Sequence, residues 1–588
     1  MKAYFYKEPS GHLNNFVKLA QFQGIDVQCF DSAKRRAFDS VIKVTANSEI
    51  WVIDLLSLQE DSALPWWQFR DHLSNTASAA LALTPTNRRQ TDKILDLLTG
   101  GNVTKSFGCA NEGVISFTSS RHSRQLRGAQ FHTSSPKKGA LAIKGSDCCD
   151  PIMMAGNIPS FICTQLGNCR LFIWATENIL DIDQPVNRND EHYGLVDQFV
   201  PALIFLKAAC GERCWRNGHA VAGITIDDPL LKRKYGYIDF KQLIQSAEKN
   251  DYHVTLGFIP WNWWRTNIRS SELFLANSKV IGICIHGCDH INNEYGIKEY
   301  ETLRSKTELA LERLRKHRER TAIDYQPVMI FPQGRFSKEA IAALGDSKEV
   351  LCAVNSTVIP TNLISGEISF RDTLMPALEP FCGFPIFVRH APLELSKFAL
   401  DFFLGKPAIA VVHHDYFEAD YTCLEDFCRA CRNIEAEVSF GPIGELLSKV
   451  FLIRTIAPDE DEVRFFTSRF SFWHSQEDNK KYRLMKRVGG DGLAVDKVLV
   501  NGKVVPFRKD NSDIIIDIDA NKSSCYGMEV EYKKSVSSPS HSFGFRHNVG
   551  VAMRRFLSEF RDDWICRNET ALRISQAVVK AMKKTGDT

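Results

Sequence analysis

The sequence lacks the features that mark membrane, secreted and nucleic-acid-binding chains. No run of about eighteen uninterrupted apolar residues occurs, so no membrane span is predicted. The first residues, MKAYFYKEPSGHLNNF, have neither the apolar run nor the small-residue cleavage site of a signal peptide, and we expect a cytoplasmic protein. Lys and Arg number 73 against 70 Asp and Glu, and this net charge of +3 gives no basis for a nucleic-acid partner.

The cysteines include a single C-x-x-C, at Cys428 and Cys431, and lack the second one that would pair with it in a structural zinc site. They number 17, an odd count, and the chain shows no export signal, so a disulfide framework is not expected. Two local clusters, Cys210/Cys214 and Cys423/Cys428/Cys431, lie in helix-like segments. We interpret both as buried free thiols, which are common core residues.

The chain does contain enough apolar residues for several hydrophobic cores. Of its 588 residues, 44% are hydrophobic. A chain of this length is too long to fold around one hydrophobic core, so we predict a multidomain α/β protein. The predicted units are an N-terminal α/β domain over 1–200, a (β/α) barrel over 201–449, a small β-sandwich over 450–534, and a linker with C-terminal helices over 535–588.

Short apolar runs alternate with helix-like stretches through the first 200 residues. This pattern predicts a mainly parallel α/β sheet. The segment Ile158 to Asp183 resembles the closing strands of amidotransferase-like α/β domains, in which a glycine turn joins two strands. The resemblance implies an amidotransferase-like domain, and Cys109 in FGCANEG does not stand in the frame of a cysteine nucleophile, so we expect this domain to be non-catalytic.

Five apolar runs and the stretches between them predict the barrel. The helix-like stretch Thr302–His317 carries leucines on one side, and strands that recur with such helices between them suit a (β/α) barrel. The five predicted strands are Val221–Ile226, His253–Phe258, Val280–Ile285, Val328–Phe331 and Ala408–His413.

The C-terminal part changes to β-hairpin and helix signals. Asn501-Gly502 sits at the turn of a predicted hairpin, and a Ser/Pro-rich linker is predicted over Ser535–Ser542. Beyond it, an apolar stripe at helical spacing predicts an amphipathic helix that docks on a surface that the sequence does not identify. The stripe consists of Val549, Met553, Phe556, Leu557 and Phe560.

Four short motifs follow predicted barrel strands, where barrels of this kind assemble their active sites. They are the Asp227-Asp228 pair, the HGCDH segment from His286 to His290, FPQGRF at Phe331–Phe336, and the His413-His414 pair. Adjacent carboxylates raise one another's pKa, and a metal bound by one of them relieves that conflict. The H-x3-H spacing puts both imidazoles on one face if the segment is helical.

In this order the motifs resemble the polysaccharide (NodB-type) deacetylases, carbohydrate esterase family four, over about 200 residues from Ala220 to Tyr416. The strings FIPWNWWR, IHGCDHINNEYG and HHDYF look like an uncharacterised branch of that superfamily. The resemblance implies an irregular (β/α) barrel with one divalent metal that removes acetyl groups from sugars.

The resemblance also implies roles for single residues. Asp227 is the catalytic base, and Asp228, His286 and His290 hold the metal. One histidine of the His413-His414 pair is the general acid, and because neighbouring strand residues point to opposite faces, only one of them enters the site. The motif order slightly favours His414.

An Asp-His-His set with open positions suits a catalytic metal. We expect Zn²⁺, with Co²⁺, Ni²⁺ or Mn²⁺ as alternatives. The bound metal would lower the pKa of water to about 7 and polarise the acetyl carbonyl.

The sequence departs from the family pattern at one motif. The family has an arginine two residues before the proline, where it orients the catalytic Asp, and this chain has Ile330. Arg335 is the candidate substitute. Asp289 and Glu294 near the metal histidines could fix the imidazole tautomers, add a ligand, or be solvated.

Three tryptophans follow the second predicted barrel strand. Trp261, Trp263 and Trp264 either stack on sugar rings at the mouth of the barrel or pack between the barrel and the first domain. The sequence alone does not distinguish these two roles.

The leading hypothesis is a metal-dependent hydrolase that removes an acetyl group, as an amide or ester, from a glycan or sugar precursor. Two alternatives stay open. One is a glycan-binding or scaffolding protein that keeps a degenerate deacetylase barrel. The other is a glycoside hydrolase on a related barrel, which would need two carboxylates about 5 to 10 Å apart and no metal.

Overall fold

The computed structural model describes residues 2–6, 11–30, 41–46, 48–56, 66–109, 113–134, 138–144, 149–475, 479–489, 495–520, 523–533 and 544–566. Their buried apolar side chains form separate cores in an N-terminal unit, a barrel and a C-terminal pair of sheets. The predicted linker Ser535–Ser542 lies outside the described residues, as does the side chain of Cys109.

The N-terminal unit contains twelve strands and four α-helices among the described residues. They are β1 (Lys2–Tyr6), α1 (Gly11–Phe22), β2 (Asp26–Phe30), β3 (Val41–Ala46), β4 (Ser48–Asp54), α2 (Trp66–Thr76), β5 (Ala77–Thr84), α3 (Arg89–Thr99), β6 (Val103–Cys109), β7 (Val114–Phe117), β8 (Gln130–His132), β9 (Lys138–Ile143), β10 (Cys149–Ala155), β11 (Ile158–Leu166), β12 (Cys169–Ala175) and α4 (Val200–Cys210).

The prediction of a mainly parallel sheet in this unit is wrong. Ten strands form one sheet in the order β2-β1-β3-β4-β5-β12-β11-β10-β7-β8. Three neighbouring pairs are parallel, β1 with β2, β4 with β5 and β5 with β12, and the others are antiparallel. Several connections, such as the glycine turn between β11 and β12, are too short for a crossover, so they form antiparallel hairpins that an alternation of apolar runs does not reveal.

The middle of the chain alternates strands and helices. Its elements are β13 (Arg216–Asn217), β14 (Val221–Asp227), β15 (Lys234–Tyr235), β16 (Ile238–Asp239), α5 (Phe240–Asn250), β17 (Val254–Phe258), α6 (Ile268–Ala276), β18 (Ile281–His286), α7 (Tyr300–Thr321), β19 (Tyr325–Ile330), α8 (Lys338–Ser347), β20 (Cys352–Asn355), α9 (Phe370–Leu374), β21 (Ile386–Val388), α10 (Leu395–Leu404), β22 (Ala408–Val412), α11 (Thr422–Ile434), β23 (Ser439–Phe440) and α12 (Ile443–Leu447).

The predicted barrel is confirmed as a nearly closed ring of parallel strands. Seven strands pair in the order β21-β20-β19-β18-β17-β14-β22, and all six neighbouring pairs are parallel. A single bridge between His390 and Ala410 joins the two ends of this order. The five predicted strands match β14, β17, β18, β19 and β22, whereas the short strands β20 and β21 were not predicted.

One end of the barrel is filled by α12, so the opposite, carboxyl end is the open one. A Cβ on Gly223 of β14 would lie 2.9 Å from Ile443 Cδ1, which shows how closely the helix approaches the strand. Ile443 and Leu446 pack with Val221 and Ile330 in one buried cluster. Any site built at the strand ends therefore faces away from this plug.

The C-terminal part consists of two sheets around one core. Its elements are β24 (Phe451–Ala457), β25 (Glu460–Phe465), β26 (Arg469–His474), β27 (Lys480–Arg487), β28 (Val495–Val500), β29 (Lys503–Val505), β30 (Arg508–Asp510), β31 (Asp513–Ala520), β32 (Ser524–Tyr532) and α13 (Phe545–Phe560).

The two sheets face each other across this core. They have the orders β13-β24-β25-β27-β31-β30 and β26-β32-β28-β29. Asn501 and Gly502 join β28 to β29 with φ of 49° and 77°, the left-handed values that a tight hairpin turn needs.

The N-terminal unit packs against the barrel through α10. Phe403 and Leu404 of this helix belong to the same buried cluster as Phe205 and Leu206 of α4. The described cysteines whose side chains are given are free thiols. In the described residues no single helix is long and apolar enough to cross a membrane, although the bent pair Glu191–Gln198 and Val200–Arg213 meets the length and composition criteria.

A buried contact between a lysine and a glutamate joins the barrel to the C-terminal sheets. Lys486 Nζ of β27 lies 3.3 Å from Glu379 Oε1, and both side chains are almost completely buried. Burial raises the pKa of Glu379 to about 7, although Lys486 and Arg464 oppose that shift. The folded protein therefore holds a proton on Glu379 at pH values where the unfolded chain releases it.

This proton uptake predicts a pH dependence of stability. Between the unfolded pKa near 4.5 and the folded value of about 7, the folded state binds more protons, so the free energy of unfolding falls as pH rises. Glu379→Gln should remove this contribution, about 3 kcal/mol at most. Unfolding midpoints of wild type and variant, measured from pH 5 to 8, should diverge, with Glu312→Gln at an exposed ion pair as the control. Parallel curves for wild type and Glu379→Gln would contradict the prediction.

Candidate metal centre

Aspartate and histidine side chains lie together at the open end of the barrel, because parallel strands end at the same edge. Asp227 is the last residue of β14 and Asp228 follows it. His286 is the last residue of β18, and His413 comes directly after β22. The sequence motifs thus lie around one rim.

Asp228, His286 and His290 bring three possible ligand atoms together. Asp228 Oδ1 lies 3.4 Å from His286 Nε2 and 3.0 Å from His290 Nε2. This buried oxygen has no hydrogen-bond partner of acceptable geometry. Zinc bonds of about 2.0–2.1 Å at tetrahedral angles separate two ligand atoms by about 3.3 Å, so these residues fit one divalent metal.

The two histidines are brought together by a turn and not by the helix that the H-x3-H spacing suggested. After β18 the chain turns with φ of 63° at Gly287 and 56° at His290. A Cβ on Gly287 would lie 2.4 Å from Pro332 Cγ and 2.5 Å from Glu294 Oε2, so the turn requires glycine. The imidazole centroids are 4.8 Å apart as a result.

Charge and hydrogen bonding prepare the same atoms for a cation. Burial raises the pKa of Asp228, but the two imidazoles outweigh burial and hold that pKa well below its usual value. Burial lowers the pKa of His286, and the Asp227 and Asp228 carboxylates raise it above its usual value. His286 Nδ1 lies 3.1 Å from the carbonyl oxygen of Ile330, an acceptor that leaves Nε2 free to bind a metal.

The second carboxylate, Asp227, is held by Arg389. Arg389 Nη1 donates to Asp227 Oδ1 at 2.8 Å, and Nη2 donates to Oδ2 at 2.6 Å. Burial raises the pKa of Asp227, and Arg389 outweighs it and lowers the pKa below the usual value. Arg335, the predicted substitute for the family arginine, is exposed. Arg389 follows β21, and an arginine directly after the apolar run IFV was the sequence signal that was missed.

Glu294 shapes the histidine turn. Its carboxylate accepts hydrogen bonds from the backbone N–H groups of Cys288, Asp289 and His290, at 3.1, 2.8 and 3.0 Å. Lys306 Nζ neutralises it from α7 at 3.1 Å. Glu294 therefore acts on the backbone of the turn and not on an imidazole.

Asp289 also has partners other than the site histidines. Its buried carboxylate contacts Arg313 Nη1 at 2.6 Å, Lys306 Nζ at 3.1 Å and His547 Nε2 at 2.9 Å. Burial raises the pKa of Asp289, and Lys306 and Arg313 outweigh it and lower that pKa. Asp289 therefore belongs to a buried network of charged side chains. These contacts do not give it the predicted role of fixing the tautomers of His286 and His290.

The two neighbouring histidines, His413 and His414, face different surroundings. In the register of β14 with β22, Thr225 pairs with Val411. Two residues further along each strand, Asp227 and His413 therefore lie opposite each other and on the same face. The charge of His413 also helps to lower the pKa of Asp227. His414 Nε2 lies 3.4 Å from Asp562 Oδ1, toward the C-terminal residues.

The three tryptophans lie beside α7. Arg313 stands 4.9 Å from the ring centroid of Trp261, and Lys316 stands 5.8 Å from that of Trp263. These two rings are partly buried against the helix, whereas Trp264 is 56% exposed. Trp264 is the member of the cluster that is open to a ligand.

Residues 544–566, which we name the C-terminal strap, run across the mouth of the barrel. The strap consists of α13 and the turn Arg561–Ile565. One apolar side chain of the strap, Val551, is buried. The polar contacts of the strap with the barrel are Glu559 with Lys232 and Arg265, Asp562 with Tyr235 and His414, Asp563 with Lys232 and the N–H of Gly236, Cys566 O with Tyr237, and His547 with Asp289.

The strap also places a cation near the metal ligands. Burial and the neighbouring Arg555 lower the pKa of Arg554, while the charges of Glu294 and Asp228 oppose that shift. Arg554 is therefore within electrostatic range of the site. The sequence predicted a docking helix without identifying its partner, and in the structure the polar side of this helix contacts the barrel.

The Glu294 contacts predict a residue that controls metal affinity without touching the metal. Glu294→Gln should weaken metal binding by about 10–100-fold, because an amide cannot accept the three N–H groups as a carboxylate does. Competition with a chromophoric chelator measures the affinity. Glu312→Gln, on the exposed side of α7, is the matched control and should bind as wild type does. Equal affinities for all three proteins would refute this role.

Comparisons with known proteins give only remote similarity. No family model and no curated protein sequence matches the chain. Among solved structures, a family 4 carbohydrate esterase from Streptomyces lividans in complex with acetate matches with a TM-score of 0.24 and 11% identity, over 38% of this chain and 92% of that chain.

Two further structures match at the same level. A CE4 esterase of Streptococcus mutans has a TM-score of 0.24 and 10% identity, over 38% of this chain and 87% of that chain. An α-amylase of Geobacillus thermoleovorans, complexed with acarbose, has a TM-score of 0.23 and 10% identity, over 53% of this chain and 99% of that chain. Similarity at this level supports no conclusion about function. Any functional conclusion therefore depends on the geometry of the site alone.

Proposed function

We propose that the chain is a metal-dependent hydrolase that removes an acetyl group from a carbohydrate. One observation carries the proposal: Asp228, His286 and His290 converge within 4.8 Å of one another at the open end of the barrel. Beside them, Asp227 is kept apart by its two hydrogen bonds to Arg389. A ligand set and a separate carboxylate at one barrel mouth are what metal-assisted hydrolysis requires.

The chain's own residues supply the proton transfers. Asp227 accepts a proton from the water that attacks the acetyl carbonyl, and Arg389 keeps the carboxylate ionised and oriented. A divalent metal held by Asp228, His286 and His290, for which we propose Zn²⁺, would supply Lewis acidity toward the water and the carbonyl. His413, on the Asp227 side of the rim, donates a proton to the leaving nitrogen or oxygen as its bond to the acetyl carbon breaks.

The alternative functions fit the geometry less well. A glycoside hydrolase needs two carboxylates on separate strands that flank the sugar bond, whereas Asp227 and Asp228 are adjacent in the chain and Asp228 lies between two imidazoles. A binding protein with a degenerate barrel would have no need to keep Asp228, His286 and His290 as a converging set of ligand atoms.

The metal is tested first. Purified protein, reconstituted with Zn²⁺ and desalted, should contain about one equivalent by elemental analysis. The double variant Asp228→Ala/His286→Ala should contain none, because one ligand cannot retain the ion. Asp324→Ala, at an exposed carboxylate of the barrel, is the control and should match wild type. Wild type without metal after reconstitution would exclude the hydrolase and leave a glycan-binding protein.

The reaction is tested by acetate release from N-acetylated chitooligosaccharides and O-acetylated xylo-oligosaccharides. Asp227→Asn should keep its metal and lose about 10²–10⁴-fold in kcat, because the base is gone while the ligands remain. His413→Asn should lose activity by a similar factor, and the neighbouring His414→Asn, whose ring contacts Asp562, should lose less. Full activity of Asp227→Asn would disprove the assignment of the base.

A further inference from the structure

The outer side of the C-terminal strap carries a continuous apolar stripe. The positions recur at intervals of three and four residues, so they lie along one side of the helix. The side chains are 43–65% exposed in the part of the chain that the structure describes, and they are Val549, Met553, Phe556, Leu557, Phe560 and Trp564. Exposed apolar groups in such a row mark an interaction surface.

The orientation of the strap is the reverse of ordinary helix docking. Glu559, Asp562 and Asp563, the three carboxylates of residues 544–566, all face the barrel and pair with its cations and donors. An amphipathic surface helix usually buries its apolar side and leaves its charges in water. Here polar contacts hold the helix, and the apolar side is exposed among the residues that the structure describes.

Charge is divided across the strap in the same way. The exposed charged residues of the described strap are Arg546 and Arg561, while the carboxylates are turned inward. Arg561 also pairs with the buried Asp562, its Nε lying 2.6 Å from Oδ1. The outer side is therefore apolar, with one arginine at each end. Large apolar side chains with flanking arginines on one helix side are typical of helices that lie in the interface of an anionic membrane.

We propose that the outer side of the C-terminal strap binds an anionic lipid surface. The helix would lie parallel to the membrane, with Met553, Phe556 and Trp564 among the acyl chains and the arginines at the phosphate groups. A second copy of the chain is disfavoured, because two such stripes in contact would bring like-charged arginines together. The inference concerns the strap alone and does not depend on the proposed hydrolase.

Sedimentation with vesicles tests the proposal on the full chain. Wild type should bind vesicles of phosphatidylcholine containing phosphatidylserine and bind much less to phosphatidylcholine alone, with binding that weakens as salt rises. Met553→Glu/Phe556→Glu should lower the partition coefficient by about 100-fold or more. Trp473→Glu is the matched control, since this aromatic side chain of β26 is 64% exposed but lies outside the strap.

Other measurements keep the outcomes separable. Metal content and the far-ultraviolet circular dichroism of Met553→Glu/Phe556→Glu should equal those of wild type, because the substitutions leave the polar contacts of the strap intact. Equal vesicle binding by this variant and by wild type would overturn the proposal. The proposal would also be overturned if the wild-type protein did not bind vesicles and instead formed dimers, and if Met553→Glu/Phe556→Glu abolished those dimers.

Discussion

Two adjacent carboxylates at the end of β14 set the conditions that the rest of the site must meet. Asp227 and Asp228 are both largely removed from water, and two neighbouring negative charges cannot stay ionised there without separate compensation. A bidentate arginine compensates the first, and two imidazoles surround the second. The backbone helps to part them, because Asp228 has a φ of 77° and so leaves the regular alternation of the strand.

The sequence was sufficient for the features that depend on strand ends. Parallel strands bring their carboxyl ends to one edge, so the Asp pair and the His segment could be placed at one rim from their order alone. Arg389 could not be found in this way, because β21 has only three residues and its apolar run was too short to predict as a strand. Arg389 follows β21, whereas the family motif places its arginine on the strand that corresponds to β19. Its contact with Asp227 depends on the three-dimensional arrangement of the strands.

The tail and the N-terminal sheet show two other limits of sequence patterns. The apolar stripe correctly marked a helix over part of 544–566, but periodicity does not say which side of a helix is buried when the polar side finds well-placed partners such as Lys232 and Arg265. In the N-terminal sheet, apolar runs predicted strands without their direction.

The N-terminal unit also contacts the chain beside the residue that holds Asp227. Tyr193 OH lies 3.0 Å from Nε2 of His390, the residue after Arg389, and 3.1 Å from Asp401 Oδ1.

The three N–H groups bound by Glu294 have a consequence for how an ion would enter the proposed metal site. They hold the histidine turn in shape through contacts within the chain, so loading an ion does not have to drive folding, as it does in a zinc finger. Such a ready-made cradle of nitrogen and oxygen atoms takes ions in the general order of divalent affinities, in which copper and zinc exceed manganese and cobalt. An ion bound at the proposed site would therefore reflect the metals available during growth as much as the preference of the protein.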